Sequence, residues 1–544
     1  METVSIVLFL LLAVVVSGAV ARMLPFSVPT PLVQIALGGA IGLSTSHRVD
    51  LDPELFLFLF LPPLLFLDGW RIPKDELFKD ASTVVELALG LVLMTVIGMG
   101  FLIHWMIPAM PLAVAFALAA VVSPTDPIAV SAIAARVPIP KRMMHILEGE
   151  SLLNDASGLV CLRFAVAAAL TGTFSASSAA LNFVWVAGAG LAIGVVVTLV
   201  VTRVKSWVTK RWGEDTGSQI LVSLLIPFGS YLLAEHLHAS GILAAVSAGV
   251  TMTYAEISRQ ALAVTRMRRN SVWDMVQFTL NGIIFVLLGE QMPGILAGAK
   301  QTVAATGHSQ PWWLGVYILV IVAGLAGLRF LWVWASLKLT ILRRARRGIG
   351  VQSPDWRLIA ATSVAGVRGA ITLAGVLTLP LTLDDGTPFP TRDLAIFLAA
   401  GVIVVSLVLA SLALPILLKG LAMPPEPVRQ AEEDGARIAV AEAAIQAIER
   451  HQHALAESHG EADIYADAGG QVMTLYRERI EGLSERQTSE AVRTGNRLLR
   501  EFRLVGVKAE RTALLKLVRG RQINSETARK LTRELDLSEA RYLG

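Results

Sequence analysis

Between Glu148 and Asp155 the chain reads Glu-Gly-Glu-Ser-Leu-Leu-Asn-Asp inside an otherwise apolar stretch. At about 100° per residue, a helix sets Glu150 over Asn154 and Ser151 over Asp155. One sector then offers two carboxylates, an amide and a hydroxyl. These are hard oxygen donors suited to a small alkali cation, and no zinc-type His/Cys set accompanies them. A second cluster, Ser123-Pro124-Thr125-Asp126-Pro127, interrupts the preceding apolar run. Each proline lacks an N–H and clashes with the carbonyl four residues back. The backbone is expected to unwind there, presenting carbonyl oxygens and half-helix ends to a cation. A third cluster, Gly366-Val367-Arg368-Gly369-Ala370-Ile371-Thr372, carries one arginine, and Arg329 lies in another apolar run. Packing alternatives exist for each: a proline kink, a polar network between helices, and purely structural arginines.

The elements that must position these groups are membrane helices. The chain has 544 residues, 54% hydrophobic and 17% charged. Charge is uneven, with 51 charged positions in residues 1–420 against 39 in residues 421–544. Soluble domains run near 25% charged. The first part reads as a polytopic membrane domain and the second as a soluble, cytoplasmic helical tail. A soluble enzyme, a nucleic-acid binder and a disulfide-built module are excluded, and no cofactor is expected. The single cysteine, Cys161, can form no internal disulfide.

A bilayer-spanning helix needs roughly 17–25 largely apolar residues. Such stretches fall at about 2–22, 31–47, 54–70, 82–106, 111–135, 144–171, 182–202, 218–237, 240–255, 272–293, 311–340, 356–382 and 392–419, thirteen in all. Basic residues concentrate in cytoplasmic loops. Here they fall in alternate loops, from Arg22 and the Arg71, Lys74, Lys79 group to Arg343, Arg344, Arg346 and Arg347. The opposite loops hold only Arg48, Lys300 and Arg392. This places the N-terminus outside and the tail inside. A cleaved signal peptide over 1–22 fits poorly, because the segment opens with Glu2 and has no basic start. Spans five and twelve cross in opposite directions, the arithmetic of an inverted repeat whose two discontinuous helices meet near the midplane.

Smaller features read more plainly. Gly188-Ala189-Gly190 with Gly194 lies within an apolar run with no strand before it, so Gly190 and Gly194 are expected to serve helix packing rather than a nucleotide. Asp68 and Glu235 lie near span ends and are read as interfacial or in helix contacts. His145 is read as a solvated interfacial group. In the tail, Ile438, Ala441, Ile445 and Ile448 recur at helical spacing, as do Leu498, Leu499, Phe502 and Val505.

The strings Pro62-Pro63-Leu64-Leu65-Phe66, Ser123–Pro127, Glu150–Asp155, Ser240-Gly241-Ile242-Leu243-Ala244 and Gly366–Thr372 resemble those of the NhaP-type sodium/proton antiporters. These belong to the monovalent cation:proton antiporter superfamily and are bacterial relatives of the sodium/hydrogen exchangers. Tail segment Ile523–Ala540, with Arg533-Glu534-Leu535-Asp536-Leu537, is similar to some bacterial members' tails. The resemblance implies an all-α fold of about 13 transmembrane helices and a homodimer in the bacterial plasma (inner) membrane. It implies exchange of sodium, or lithium, for protons. By motif position the cation would touch Asp155, Ser151 and the Thr125 backbone, with Asn154 and Asp126 in the same polar cluster. Glu150 would form a structural ion pair with an arginine, Arg329 in preference to Arg368. Asn154 beside Asp155 goes with electroneutral exchange. A potassium/proton antiporter of the same fold, a cation channel and an intramembrane hydrolase are the alternatives.

Overall fold

The computed structural model describes residues 2–24, 28–44, 53–71, 86–127, 130–131, 141–171, 176–257, 263–304, 310, 312–345, 356–383, 386–419, 427–459, 462–485, 490–520, 522–523 and 525–543. Among the described residues the chain is helical, with one isolated β-bridge between Thr382 and Pro388. It divides into two compact units, Met1–Leu421 and Ala422–Gly544.

The first unit opens with α1 (Glu2–Met23), α2 (Thr30–Ser44) and α3 (Pro53–Arg71), the last running through Pro62 and Pro63. A π-helical turn, Glu86–Leu91, leads into α4 (Val92–Met106), followed by α5 (Leu112–Val122) and α6 (Lys141–Thr171). Then come α7 (Ala176–Trp212), α8 (Thr216–His236), α9 (Gly241–Ile257), α10 (Ala263–Ala304) and α11 (Trp312–Ala345). The unit ends with α12 (Trp356–Val364), α13 (Ala370–Leu377) and α14 (Arg392–Leu418). Among the described residues, seven helical stretches are long and apolar enough to cross a membrane, and four shorter apolar helices accompany them.

These helices form two bundles. α1–α3 pack with α7–α10, while α4–α6 pack with α11–α14; contacts across the seam are sparser than those within either bundle. Small residues set the closest approaches. A Cβ on Gly190 would lie 2.6 Å from the Ser240 carbonyl oxygen, and one on Gly194 would collide with the Ala244 carbonyl. These glycines therefore seat α7 against α9, the helix-packing role expected of them, while Gly188 faces open space.

Two helical paths are interrupted within the second bundle. α5 stops at Val122 and leaves Ser123–Asp126 outside any helix, with helix resuming at Pro127. Of the rest of that expected span, 128–129 and 132–135 lie outside the described residues. The expected twelfth span is likewise split into α12 and α13 by the unwound Gly366–Gly369.

The second unit holds α15 (Pro427–His459), α16 (Ala462–Glu485), α17 (Glu490–Arg519) and α18 (Ser525–Leu543). α15 packs on α16 and α17 on α18. Ala441 is buried, but the stripe of Leu498, Leu499, Phe502 and Val505 is exposed; α17 buries Val507 and Leu514 instead. Arg511 binds Asp536 (2.8 Å) and Glu539, joining α17 to α18 within the tail segment singled out by resemblance.

Candidate functional site

The two interruptions meet. The Asp126 backbone N–H donates to the Val367 carbonyl at 2.7 Å, a direct link between the unwound segments. Their approach depends on missing side chains. A Cβ on Gly369 would overlap the Asp126 carboxylate, and one on Gly158 of α6 would strike Pro124 and approach the Ala120 carbonyl to 2.9 Å.

Breaking a helix exposes carbonyls that no turn satisfies. In a bilayer such groups need partners inside the protein. The two intramembrane arginines supply them. Arg368 Nε donates to the carbonyl of Val122, the last residue of α5, at 2.8 Å, and Arg368 also donates to the Gly366 carbonyl. Arg329 Nε donates to the Thr362 carbonyl in the last turn of α12 at 3.0 Å. Cationic groups are favourable at helix C-termini, where the dipole is negative. Each guanidinium thus closes the end of one half-helix.

Arg329 does more. It grips Glu150 with both terminal nitrogens, Nη1 to Oε1 and Nη2 to Oε2, the latter at 2.6 Å, and the side chains are 3% and 1% exposed. Thr125 Oγ1 donates to Glu150 Oε1 at 3.3 Å, and Asn154 Nδ2 donates to Thr125 Oγ1 at 2.9 Å. A continuous chain of polar contacts therefore runs Asn154–Thr125–Glu150–Arg329–Thr362. Arg329, the arginine preferred from the sequence, is the one that pairs with Glu150; Arg368, grouped with that pair as the second candidate, has another role. It forms no ion pair among the described residues, because its guanidinium is spent on carbonyls.

Beside this network is a small cavity of about 20 Å³, enough for one water or ion. Thr125, Asp126, Ser151 and Asp155 line it with Pro124, Pro127, Gly369, Ile371 and Thr372 on the α5–α6 and α13 side; Leu64, Asp68 and Asn281 line it from the other bundle. Four expected site residues thus converge. Asn154 is not among the lining residues and positions Thr125 instead. Asp68, read from the sequence as interfacial or in a helix contact, lines the cavity: α3 continues through Pro62 and Pro63 and carries it there. Asn281 and Thr372 were missed. Thr372 was quoted only as the end of a motif, and Asn281 has no charged or proline neighbour to mark it.

Glu235 does make a helix contact. It accepts from Arg163 at 2.7 Å and from the Gly241 N–H at 3.2 Å. Arg163 lies on α6 and Glu235 on α8, so this pair crosses the seam between bundles.

Broken helices crossing beside a polar cavity within a many-helix membrane protein are the architecture of ion-coupled secondary transporters. The family described as "Sodium/hydrogen exchanger, transmembrane" matches residues 8–420, and the chain belongs to that family. It is 43% identical over 545 residues to the uncharacterized Na(+)/H(+) exchanger YjcE of Escherichia coli (strain K12), covering 99% of both chains. It is 39% identical over 547 residues to a Bacillus subtilis (strain 168) protein named a sodium, potassium, lithium and rubidium/H(+) antiporter, covering 100% of this chain and 78% of the relative. The fold is similar to that of the sodium proton antiporter MjNhaP1 from Methanocaldococcus jannaschii, with TM-score 0.55 at 20% identity, covering 77% of this chain and 99% of that one.

Proposed function

We propose that this protein exchanges sodium for protons, with Asp155 as the group that carries each in turn. The observation that carries the reading is the convergence of Asp155, Ser151, Thr125 and Asp126 on one cavity at the crossing of two broken helices. Asp155 holds a proton or a cation but not both well. Competition for that one position, in a cavity opening to alternate sides, gives obligatory exchange. Glu150 takes no part as a ligand, because Arg329 occupies both its oxygens. Hydroxyl and backbone oxygens from Ser151 and Thr125 complete a hard-donor shell.

The name of the Bacillus subtilis relative favours breadth, with potassium and lithium also accepted. In this reading residues 1–420 form the transport domain, with thirteen spans, an outside N-terminus and a cytoplasmic tail over 421–544. The protein works as a homodimer in the plasma membrane, as the family resemblance implies. Asn154, being neutral, adds no second proton beside Asp155, which makes the exchange electroneutral.

The test is fluorescence dequenching of a pH dye in everted vesicles, with sodium, lithium and potassium salts added in turn. Each accepted salt collapses the imposed gradient, and Asp155→Asn abolishes the response at equal protein level. Cation-dependent flux retained by Asp155→Asn would refute the mechanism, and flux that builds a membrane potential would refute electroneutrality.

A further inference from the structure

The strong polar contacts of the site all belong to one bundle. Asn154, Thr125, Glu150, Arg329, Thr362, Val122 and Arg368 lie on α4–α6, α11–α14 or the breaks between them. The other bundle lines the same cavity with Leu64, Asp68 and Asn281. Asn281 is 8% exposed, and its carboxamide oxygen is buried with no hydrogen-bond partner among the described residues. Buried acceptors are normally satisfied, so this one calls for an explanation.

The helix that carries it is firmly placed. Next to Asn281, Gly282 seats α10 against Val14 of α1, where a Cβ would approach a Val14 methyl to 2.6 Å. Two turns on, a Cβ on Gly289 would collide with the Ile35 carbonyl of α2. The part of α10 that carries Asn281 is therefore fixed against α1 and α2, with Asn281 lining the cavity. A carboxamide oxygen is a hard, neutral ligand of the kind alkali and alkaline-earth cations accept.

We infer that Asn281 supplies a neutral oxygen ligand to the transported cation from the other bundle, and so sets preference among alkali ions. This inference rests on the exchange reading above. Asp155 decides whether a cation or a proton is held. Asn281 takes no proton and acts only on the cation.

The experiment is sodium, lithium and potassium titration of dye dequenching in everted vesicles from wild type, Asn281→Ala, Asn281→Ser and Asp155→Asn. Asn281→Ala is expected to raise the half-saturating sodium concentration about tenfold, the lower end of what losing a supporting group costs a metal site. The three ions should shift by different factors, so the order of preference changes. Asn281→Ser keeps an oxygen in a shorter side chain and is expected to fall between wild type and alanine.

Purified protein gives a second readout. Sodium is expected to raise the melting temperature of wild type relative to choline, and Asn281→Ala to lose most of that rise. An alanine variant that lowers the rate for all ions alike without moving half-saturation overturns the inference, as does one indistinguishable from wild type. If alanine does not fold, a serine variant with wild-type half-saturation and ion order overturns it. Absence of salt-driven flux in wild type, or its persistence in Asp155→Asn, is failure of the exchange reading itself. Correct behaviour of both controls with an unmoved Asn281→Ala is failure of this inference alone.

Discussion

Replacing Arg329 by alanine isolates the role given to the buried ion pair. The pair is bidentate and its side chains are 3% and 1% exposed. Removing one partner of a buried pair leaves the other charged in low dielectric and costs about 3–5 kcal/mol. The variant also loses the bond to the Thr362 carbonyl, adding roughly 1 kcal/mol or more. A loss of about 4–6 kcal/mol follows. Domains of 150–250 residues shift by about 2–4 °C per kcal/mol, and a larger unit shifts less, so the melting temperature should fall on the order of 5–10 °C.

Arg329→Lys keeps the charge but not the planar fork and should recover only part of this. The double variant Glu150→Gln with Arg329→Gln removes both charges and should be more stable than Arg329→Ala alone. Thermal denaturation of detergent-purified protein, followed by size-exclusion fluorescence, reads all three against wild type. An Arg329→Ala variant melting within about 1–2 °C of wild type, or a double variant no better than the single one, would refute the reasoning. The double variant should also retain detectable salt-driven proton flux, because in the proposed mechanism Glu150 positions Thr125 and is not a ligand of the ion.

Gly369→Ala places a methyl group on the Asp126 carboxylate and should cost about 1–3 kcal/mol of stability with most of the transport, read by melting and dye dequenching. Gly194→Ile drives a side chain into the Ala244 carbonyl and should abolish recovery of folded protein, while Gly188→Ile, facing open space, should leave it unchanged. Arg163→Ala removes a half-exposed pair and should change the melting temperature little, the pair being worth about 0–1 kcal/mol. Asp215 caps α8 by accepting from the Ser218 N–H at 2.8 Å and from the Ser218 hydroxyl, which holds its carboxyl below the usual aspartate range. A depressed value means the cap contributes fully above about pH 3.9 and is lost as pH falls through the depressed value. The protection of the Ser218 amide, its exchange rate divided by the intrinsic rate at the same pH, should therefore be high at neutral pH and fall in acid, and Asp215→Ala should show little protection at either pH.

What the sequence disclosed depended on how loudly each group announces itself. Prolines in an apolar run and charges at membrane depth are costly, so Ser123–Pro127, Glu150, Asp155 and Arg329 could be read as a site without coordinates. The break at Gly366–Gly369 was legible for the same reason. Partner choice was only half legible. Either arginine could satisfy Glu150 or a carbonyl, and the answer depends on which half-helix end each one reaches. Asp68 was not recognised as a cavity residue because a position near a span end does not reveal which neighbouring elements the side chain meets. Asn281 was silent because an uncharged amide beside a glycine resembles ordinary helix packing. The tail misled in another way. Helical periodicity marks an apolar face, but Leu498, Phe502 and Val505 show that such a face need not be the one buried within the unit.

The division of contacts between the bundles bears on how a cation site could change sides. Glu150–Arg329, both half-helix caps and the link between the breaks lie within one bundle, so they survive any movement of that bundle as a body. Had Arg329 stood on α10, each excursion would have broken a buried ion pair worth several kcal/mol, a barrier unsuited to rapid turnover. The seam instead carries sparse packing and the half-exposed Arg163–Glu235 pair, which costs little to separate. Asp68 and Asn281 belong to the other bundle, so in the proposed mechanism a movement along the seam would change the groups beside Asp155 while leaving Ser151 and Thr125 with it. In that arrangement the strong interactions keep the crossing intact and the weak ones permit it to move.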